Sequence, residues 1–311
     1  MTPDKTATRP AGTSHTTSTT PHQALLAAAR ALGASGGGAG AARVMALLYD
    51  PEVEIDAVLD CLRGEPGLAA RVLKVANAPY YRQAGNIGTV ERAVSVLGLS
   101  AIRGVAASGC LDRMTPPRSG KAFDPERFRS HSLAVVCAAQ QLSAAAGCGI
   151  DGEAYMAGLL HDIGLLLLVK ADAAAMERWT PPDTADHDTL RQAEQAHFGT
   201  THEACALLLT QSWSMPDWLA QAITSHHHGH APESDTPARG HAALPALLSL
   251  ADDLAEQAGF GLRAHAADAS ATPATTRSTG WAAAQLGLAD DVLAALVAEL
   301  PDTLASLQAT R

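Results

Sequence analysis

Aromatic side chains are scarce: the chain of 311 residues has only four Trp, four Tyr and four Phe. Alanine and leucine supply most of its 47% hydrophobic share instead. A sheet-dominated core would want more Val, Ile, Thr and aromatics, so this balance favours packed helices. Basic residues are also in deficit, 22 against 32 acidic ones, for a net charge of −10. That argues against a broad nucleic-acid surface and against anionic membranes as partners. Five cysteines (Cys61, Cys110, Cys137, Cys148 and Cys205) make an odd number without C-x-x-C spacing. They read as reduced core fillers, which fits a cytoplasmic protein. No basic-then-apolar leader opens the chain, and no run of roughly 18 apolar residues suggests a membrane span.

What is there falls into segments, with length for one large or two modest domains. Residues 1–22 are rich in Thr, Ser and Pro, too poor in apolar surface to offset ordering entropy, and read as disordered. Residues 23–32 suit a short helix, and Gly33 to Gly40 a flexible linker, so residues 1–40 form a tail. From Ala41 to about Thr115 the pattern is a lobe of short helices. Ile55, Val58, Leu59 and Leu62 make one apolar stripe, and Leu68, Val72, Leu73 and Val75 the next. Thr89 caps a helix that Gly98 ends, and Ser100 starts another. After the Pro116-Pro117 loop, helices are expected near 125–146, 153–169, 190–212, 216–227 and 243–258. Residues 259–279 read as a connection before two last helices, near 280–286 and 290–309. No internal repeat is visible.

The chemistry gathers in this second block. Gly158-Leu159-Leu160-His161-Asp162-Ile163-Gly164 puts an adjacent imidazole and carboxylate in an apolar run. A buried carboxylate is costly unless a partner neutralises it, so an Arg, a Lys or a metal ion must meet Asp162. His131 lies on the preceding helix, 30 residues before His161, within about two helical turns of it across a hairpin. His202, the pair His226 and His227, and Asp252 follow on later helices. Leu244, Leu248 and Asp252 are spaced four apart, placing Asp252 on an apolar stripe, whereas Asp253 falls beside Ser249. Singly, each His suits a hydrogen-bonded core position. Together, five His and two Asp on inward faces of one block point to a ligand set. His15, His22, His187, His197, His228, His230, His241 and His265 read as loop, tail or flanking residues.

The order H…HD…H…HH…D resembles the HD superfamily of metal-dependent phosphohydrolases. Within it the chain looks like the HDOD domain, the HD-related output domain of bacterial signalling proteins. The resemblance spans about 41–309 and includes DPEVEIDAVLDCLRGEPGLAARVLKVANAPYY, IGTVERAVSVLGLSAIRGV, AGLLHDIGLLLL and HFGTTHEAC. It implies an all-α fold of two lobes, the HDOD N-terminal lobe at 41–115 and an HD-like bundle with C-terminal helices at 123–309. It also implies two metal ions. One would be held by His131, His161, Asp162 and Asp252, the other by His202, His226 and His227, with Asp162 bridging. Such donors suit iron, manganese, zinc or nickel. Active relatives of the HD-GYP type follow HDIG with a phosphate-contacting lysine, where this chain has Leu165. They also carry an acidic residue where Arg127 stands, and an HHE and GYP stretch where this chain reads HHHGHAPESD. Arg127 or Arg129 would then be distant substitutes for the lysine. These departures imply a regulatory module with weak or no turnover and other signalling proteins as partners. The alternative is a metal-dependent phosphodiesterase acting on a nucleotide or cyclic dinucleotide, with Asp162 in the catalytic centre and a small phosphorylated ligand.

Overall fold

The computed structural model describes residues 21–34, 47, 53–78, 87–116, 118, 122–182, 187–213, 215–228, 237–262 and 277–309. Residues 1–20 of the Ser/Thr-rich start, residues 35–40 of the glycine linker and most of the 259–279 connection lie outside these residues, whereas 21–22 and Gly33-Ala34, expected as disordered start and linker, belong to a helix. The fold is all-α, with no β-strand among the described residues.

Helix α1 is Pro21–Ala34. The first lobe contains α2 (Ile55–Gly64), α3 (Pro66–Ala76) and α4 (Val90–Met114). Pro66 opens α3, where a missing N–H costs nothing. Thr89 caps α4 by accepting from the Arg92 amide, and Gly98 (φ 75°) kinks it where the sequence places a helix end. Val58, Leu62, Leu68, Val72, Ala93 and Ile102 form this lobe's own core.

The second lobe begins with α5 (Pro125–Ala146), capped by Asp124 and closed by Gly147 in the left-handed region (φ 63°). It continues through α6 (Asp151–Leu160), α7 (Ile163–Ala171) and α8 (Ala173–Arg178). Then come α9 (His187–Phe198), α10 (His202–Ser212), α11 (Asp217–Ser225) and α12 (Leu244–Gln257). Helices α13 (Arg277–Leu286) and α14 (Asp290–Ala309) finish the chain, and α1 rests on α7 and α10. The lobes meet where α4 crosses α6, with the Tyr155 ring against Gly104, and where Asp112 of α4 accepts from Arg71 and Arg129.

Two expected helices are divided. The one near 153–169 breaks at His161 and Asp162, and the one near 190–212 breaks at Gly199 (φ 71°). Helix α8, capped by the Asp172 side chain, was not foreseen. The first break has a geometric reason. Neighbours in an intact helix diverge by about 100°, so consecutive side chains share one cavity only where the helix ends. By length and hydropathy alone Asp151–Ala171 is able to cross a membrane, but 78% of its apolar window is buried within the bundle.

Both glycines of the GLLHDIG motif are contact points between helices. A Cβ on Gly158 would stand 3.1 Å from the Val136 Cα, so α6 runs close against α5. A Cβ on Gly164 would stand 1.8 Å from the His202 carbonyl oxygen, so α7 begins almost on the first residue of α10. We therefore expect Gly164→Ala to destabilise the protein by about 1–3 kcal/mol or more through overpacking. Gly280→Ala, with open space around the position, should be neutral or slightly stabilising; urea unfolding of the two variants checks the contrast.

Candidate metal centre

Seven side chains foreseen from the sequence meet in one buried cavity of the second lobe. His131 comes from α5, His161 and Asp162 from the turn between α6 and α7, and His202 from the first position of α10. His226 and His227 follow the end of α11, and Asp252 projects from α12. None is more than 8% exposed. His131 Nε2 lies 3.1 Å from His161 Nε2 and 3.2 Å from Asp252 Oδ1. Asp162 Oδ2 stands 3.3 Å from His161 Nε2 and 3.6 Å from His131 Nε2. Its other oxygen, Oδ1, faces His202 Nε2 at 3.6 Å. Asp162, His202, His226 and His227 each offer a ligand atom within 4.8 Å of the others. The Asp162 carboxylate thus divides its two oxygens between two imidazole groups.

The outer ring nitrogens are fixed by oxygen acceptors. His131 Nδ1 donates to the Phe260 carbonyl at 3.0 Å, His161 Nδ1 to Gly158 at 2.8 Å and His226 Nδ1 to Ile223 at 2.6 Å. His202 Nδ1 donates to Glu194 at 2.8 Å, and the same carboxylate accepts from the His202 amide at 3.0 Å. With Nδ1 donating, the Nε2 lone pairs of these four rings are left to the cavity. Anchoring of this kind orients imidazoles around metals. Three cavity atoms (His202 Nε2, His226 Nε2 and His227 Nδ1) are buried without a hydrogen-bond partner, an arrangement that requires an explanation. Ligands about 2.1 Å from a small divalent ion stand roughly 3.0–3.4 Å apart, close to the spacing around His131, His161 and the two carboxylates.

Without an ion, the cavity balances its charges internally. Burial opposes protonation of His131 and His202, but Asp252 raises the first to about 9 and Glu194 raises the second to about 10. Burial works against the Asp162 carboxylate too, yet the surrounding imidazoles, His161 foremost, hold it well below the usual range. Burial, reinforced by neighbouring imidazoles, pushes His226 down to about 3 and His227 well below its ordinary value. Both rings are therefore neutral at physiological pH, with lone pairs free to bind a cation.

Sequence reasoning missed Glu194, His187 and Asp253. Glu194 is 1% exposed and comes from α9, which ends at Gly199 (φ 71°) just before α10, so that its carboxylate meets the His202 amide and ring. No period in the sequence reveals that meeting. His187 opens α9 at the cavity rather than lying in a loop; its ring stacks on His227 at 4.0 Å, and its Nε2 lies 3.4 Å from Asp253 Oδ1. Asp253, expected away from the apolar stripe, is only 3% exposed. Of the remaining histidines, His197 donates to the Ala175 carbonyl, His228 contacts Arg191 and His241 stacks on Trp218.

The cavity, about 50 Å³ and room for a few waters, is lined on its apolar side by Phe123, Phe128, Leu165, Met176, Trp179 and Leu190. Leu165, next to Gly164, thus adds an apolar side chain and no charge to that lining. Among the described residues no Lys or Arg lines the cavity. Arg127 is exposed, and Arg129 is held by Asp112 and Glu126, so neither substitutes for a phosphate-contacting lysine.

The family model for the HDOD domain matches residues 39–229. The chain belongs to the HDOD family. Its fold matches an HDOD domain protein of unknown function from Geobacter sulfurreducens, at 24% identity and TM-score 0.66, over 93% of this chain and 99% of that one. A protein from Shewanella amazonensis, provisionally named a metal-dependent phosphohydrolase, shares the fold at 17% identity and TM-score 0.59, over 93% and 98% of the two chains. A protein from Marinobacter aquaeolei, provisionally named for signal transduction, is 26% identical with TM-score 0.59, over 87% of this chain and 57% of that longer one. No curated protein sequence matches the HDOD chain.

The Glu194–His202 pair gives a direct test of the site's construction. Glu194→Gln keeps the shape but removes the buried charge that His202 leans on. The metal-free variant should lose about 1–3 kcal/mol of stability, read by urea unfolding in chelator; unchanged stability would mean that the pair is incidental.

Proposed function

We propose that this HDOD chain is a signal-transduction output module that keeps a two-ion metal centre and has weak or no hydrolytic activity. The observation that carries the metal half is the set of three buried, unpartnered imidazole nitrogens beside a carboxylate that faces two imidazole groups. His131, His161, Asp162 and Asp252 would hold one ion. His202, His226 and His227 would hold the other, with Asp162 between them. Bound divalent ions supply Lewis acidity and lower the pKa of a bound water. The residues present orient that pair, exclude bulk water and hold the outer nitrogens. The donor set suits iron, manganese, zinc or nickel alike.

The signalling half is supported by membership of the HDOD family and by the 26%-identical protein provisionally named for signal transduction. Low turnover is supported by the cavity lining, where Leu165 and other apolar side chains stand and, among the described residues, no Lys or Arg supplies the cationic contact that a phosphoester needs. Other signalling proteins are the partners this reading calls for. The second reading is a metal-dependent phosphohydrolase acting on a nucleotide or cyclic dinucleotide. It is favoured by the Asp162 carboxylate, whose two oxygens face imidazoles on opposite sides, and by the superfamily's chemistry.

Two measurements separate these readings. Elemental analysis of the purified wild type should find a copurifying transition metal, and a folded Asp162→Ala variant should lose it. No transition metal in either protein would remove the metal centre from the account. Metal-loaded wild type should not turn over cyclic dinucleotides, nucleotides or generic phosphoesters. Turnover that disappears when His161→Ala and Asp162→Ala are combined would replace the module reading with the hydrolase.

A further inference from the structure

Helix α9 turns one face toward the ligands of the second ion. His187, Leu190, Arg191 and Glu194 stand at i, i+3, i+4 and i+7 of that helix and so share a side. At one end of the face His187 stacks on the His227 ring at 4.0 Å, and at the other Glu194 holds the ring and the amide of His202. Arg191 lies between them, and its guanidinium reaches the residue that follows each of those two histidines. We propose that Arg191 is a positioning residue for the second ion, tying together the two chain segments that carry its histidines. The inference rests on the two-ion reading.

The guanidinium spreads its donors over three partners. Its Nε stands 3.1 Å from Oε1 and 3.2 Å from Oε2 of Glu203, the residue after His202. Its Nη2 donates to Nε2 of His228, the residue after His227, at 2.8 Å. Its Nη1 turns back to Asp188 of the same helix at 3.0 Å. Glu203 is 4% exposed, a depth at which a carboxylate needs a cation, and Arg191 supplies it. The start of α10, which offers His202, is thus joined through one rigid planar group to the turn after α11, which offers His226 and His227. A lysine at this position would answer Glu203 as a point charge without gripping His228 as well.

Little else secures this part of α9. Leu190 is the one hydrophobic residue that the helix buries, and α9 runs alongside no other described helix at close backbone range. Its C-terminal end is packed by aromatic rings, Phe198 lying against Trp179 at 4.9 Å. Its first turns lean on the contacts of His187, Leu190 and Arg191. The histidines that α9 grips, His202 and His227, both belong to the second ion. On the first ion, His131 and His161 are anchored instead by the carbonyls of Phe260 and Gly158. Holding the second ion's ligands and holding α9 are therefore one event. That ion binds with α9 in place and steadies it in return, since linkage between two such equilibria is reciprocal.

The test follows metal affinity and backbone exchange in the full-length protein. Chelator-stripped wild type is titrated with Zn²⁺, and the equivalent that His226→Ala removes marks the second ion. Arg191→Met, checked for folding by circular dichroism, should bind that equivalent about 10–100-fold more weakly and the first as wild type does. Arg191→Lys should fall between the two. In wild type, hydrogen exchange of the 187–198 amides should slow as the second equivalent enters and not as the first does, a readout that needs no variant. Wild-type affinity for both equivalents in folded Arg191→Met, equal weakening of both, or exchange in 187–198 indifferent to the second equivalent would overturn the tie and leave the two ions standing. Uptake of fewer than two equivalents by wild type would overturn the two-ion reading and this inference with it.

Discussion

Two carboxylates buried beneath a helical bundle are the constraint on which this structure turns. Asp162 and Asp252 are each 4% exposed, at depths where an uncompensated charge costs several kcal/mol. No lysine or arginine meets either one among the described residues; imidazoles do. The surrounding architecture delivers those imidazoles. Helices α5, α10 and α12, the end of α11 and the turn between α6 and α7 each bring one or two groups to the same small volume. Each ring is anchored from behind by a carbonyl, a carboxylate or ring stacking.

Delivering adjacent residues to one cavity needs helix ends. His161-Asp162 and His226-His227 are consecutive pairs, and both sit just past the last regular turn of a helix. Delivering separate helices needs close approach, and the motif glycines permit it. Gly158 lets α6 meet α5, which brings His161 to His131, while Gly164 lets α7 meet α10, which brings Asp162 to His202. GLLHDIG is thus a short instruction for assembly: two glycines set helix spacing, and a break between them turns His and Asp inward.

Much of this was legible in the sequence because the ligands lie on apolar stripes. Asp252 stood out at four-residue spacing from Leu244 and Leu248, and His161-Asp162 by its leucine surroundings. The all-α fold followed from alanine and leucine doing the work of scarce aromatics. The residues that stayed hidden depend on tertiary contacts. Glu194 sits in a polar helix and is buried where the turn at Gly199 brings it to His202. His187 looked like a loop residue because its role depends on His227 arriving from α11. Asp253 lies off the stripe that revealed Asp252, yet it is buried and His187 of α9 reaches it. Periodicity reports which face of a helix is buried, not what comes to meet that face.

The central claim is that the cavity side chains are arranged around metal ions rather than around their own hydrogen bonds. Anomalous diffraction collected across the absorption edge of the copurifying metal tests it most directly. The account predicts two anomalous peaks flanking Asp162, one among His131, His161 and Asp252, the other among His202, His226 and His227. A well-ordered crystal of protein purified without chelator that shows no anomalous peak, with His131 and His202 bonded directly to Asp252 and Asp162, would contradict it.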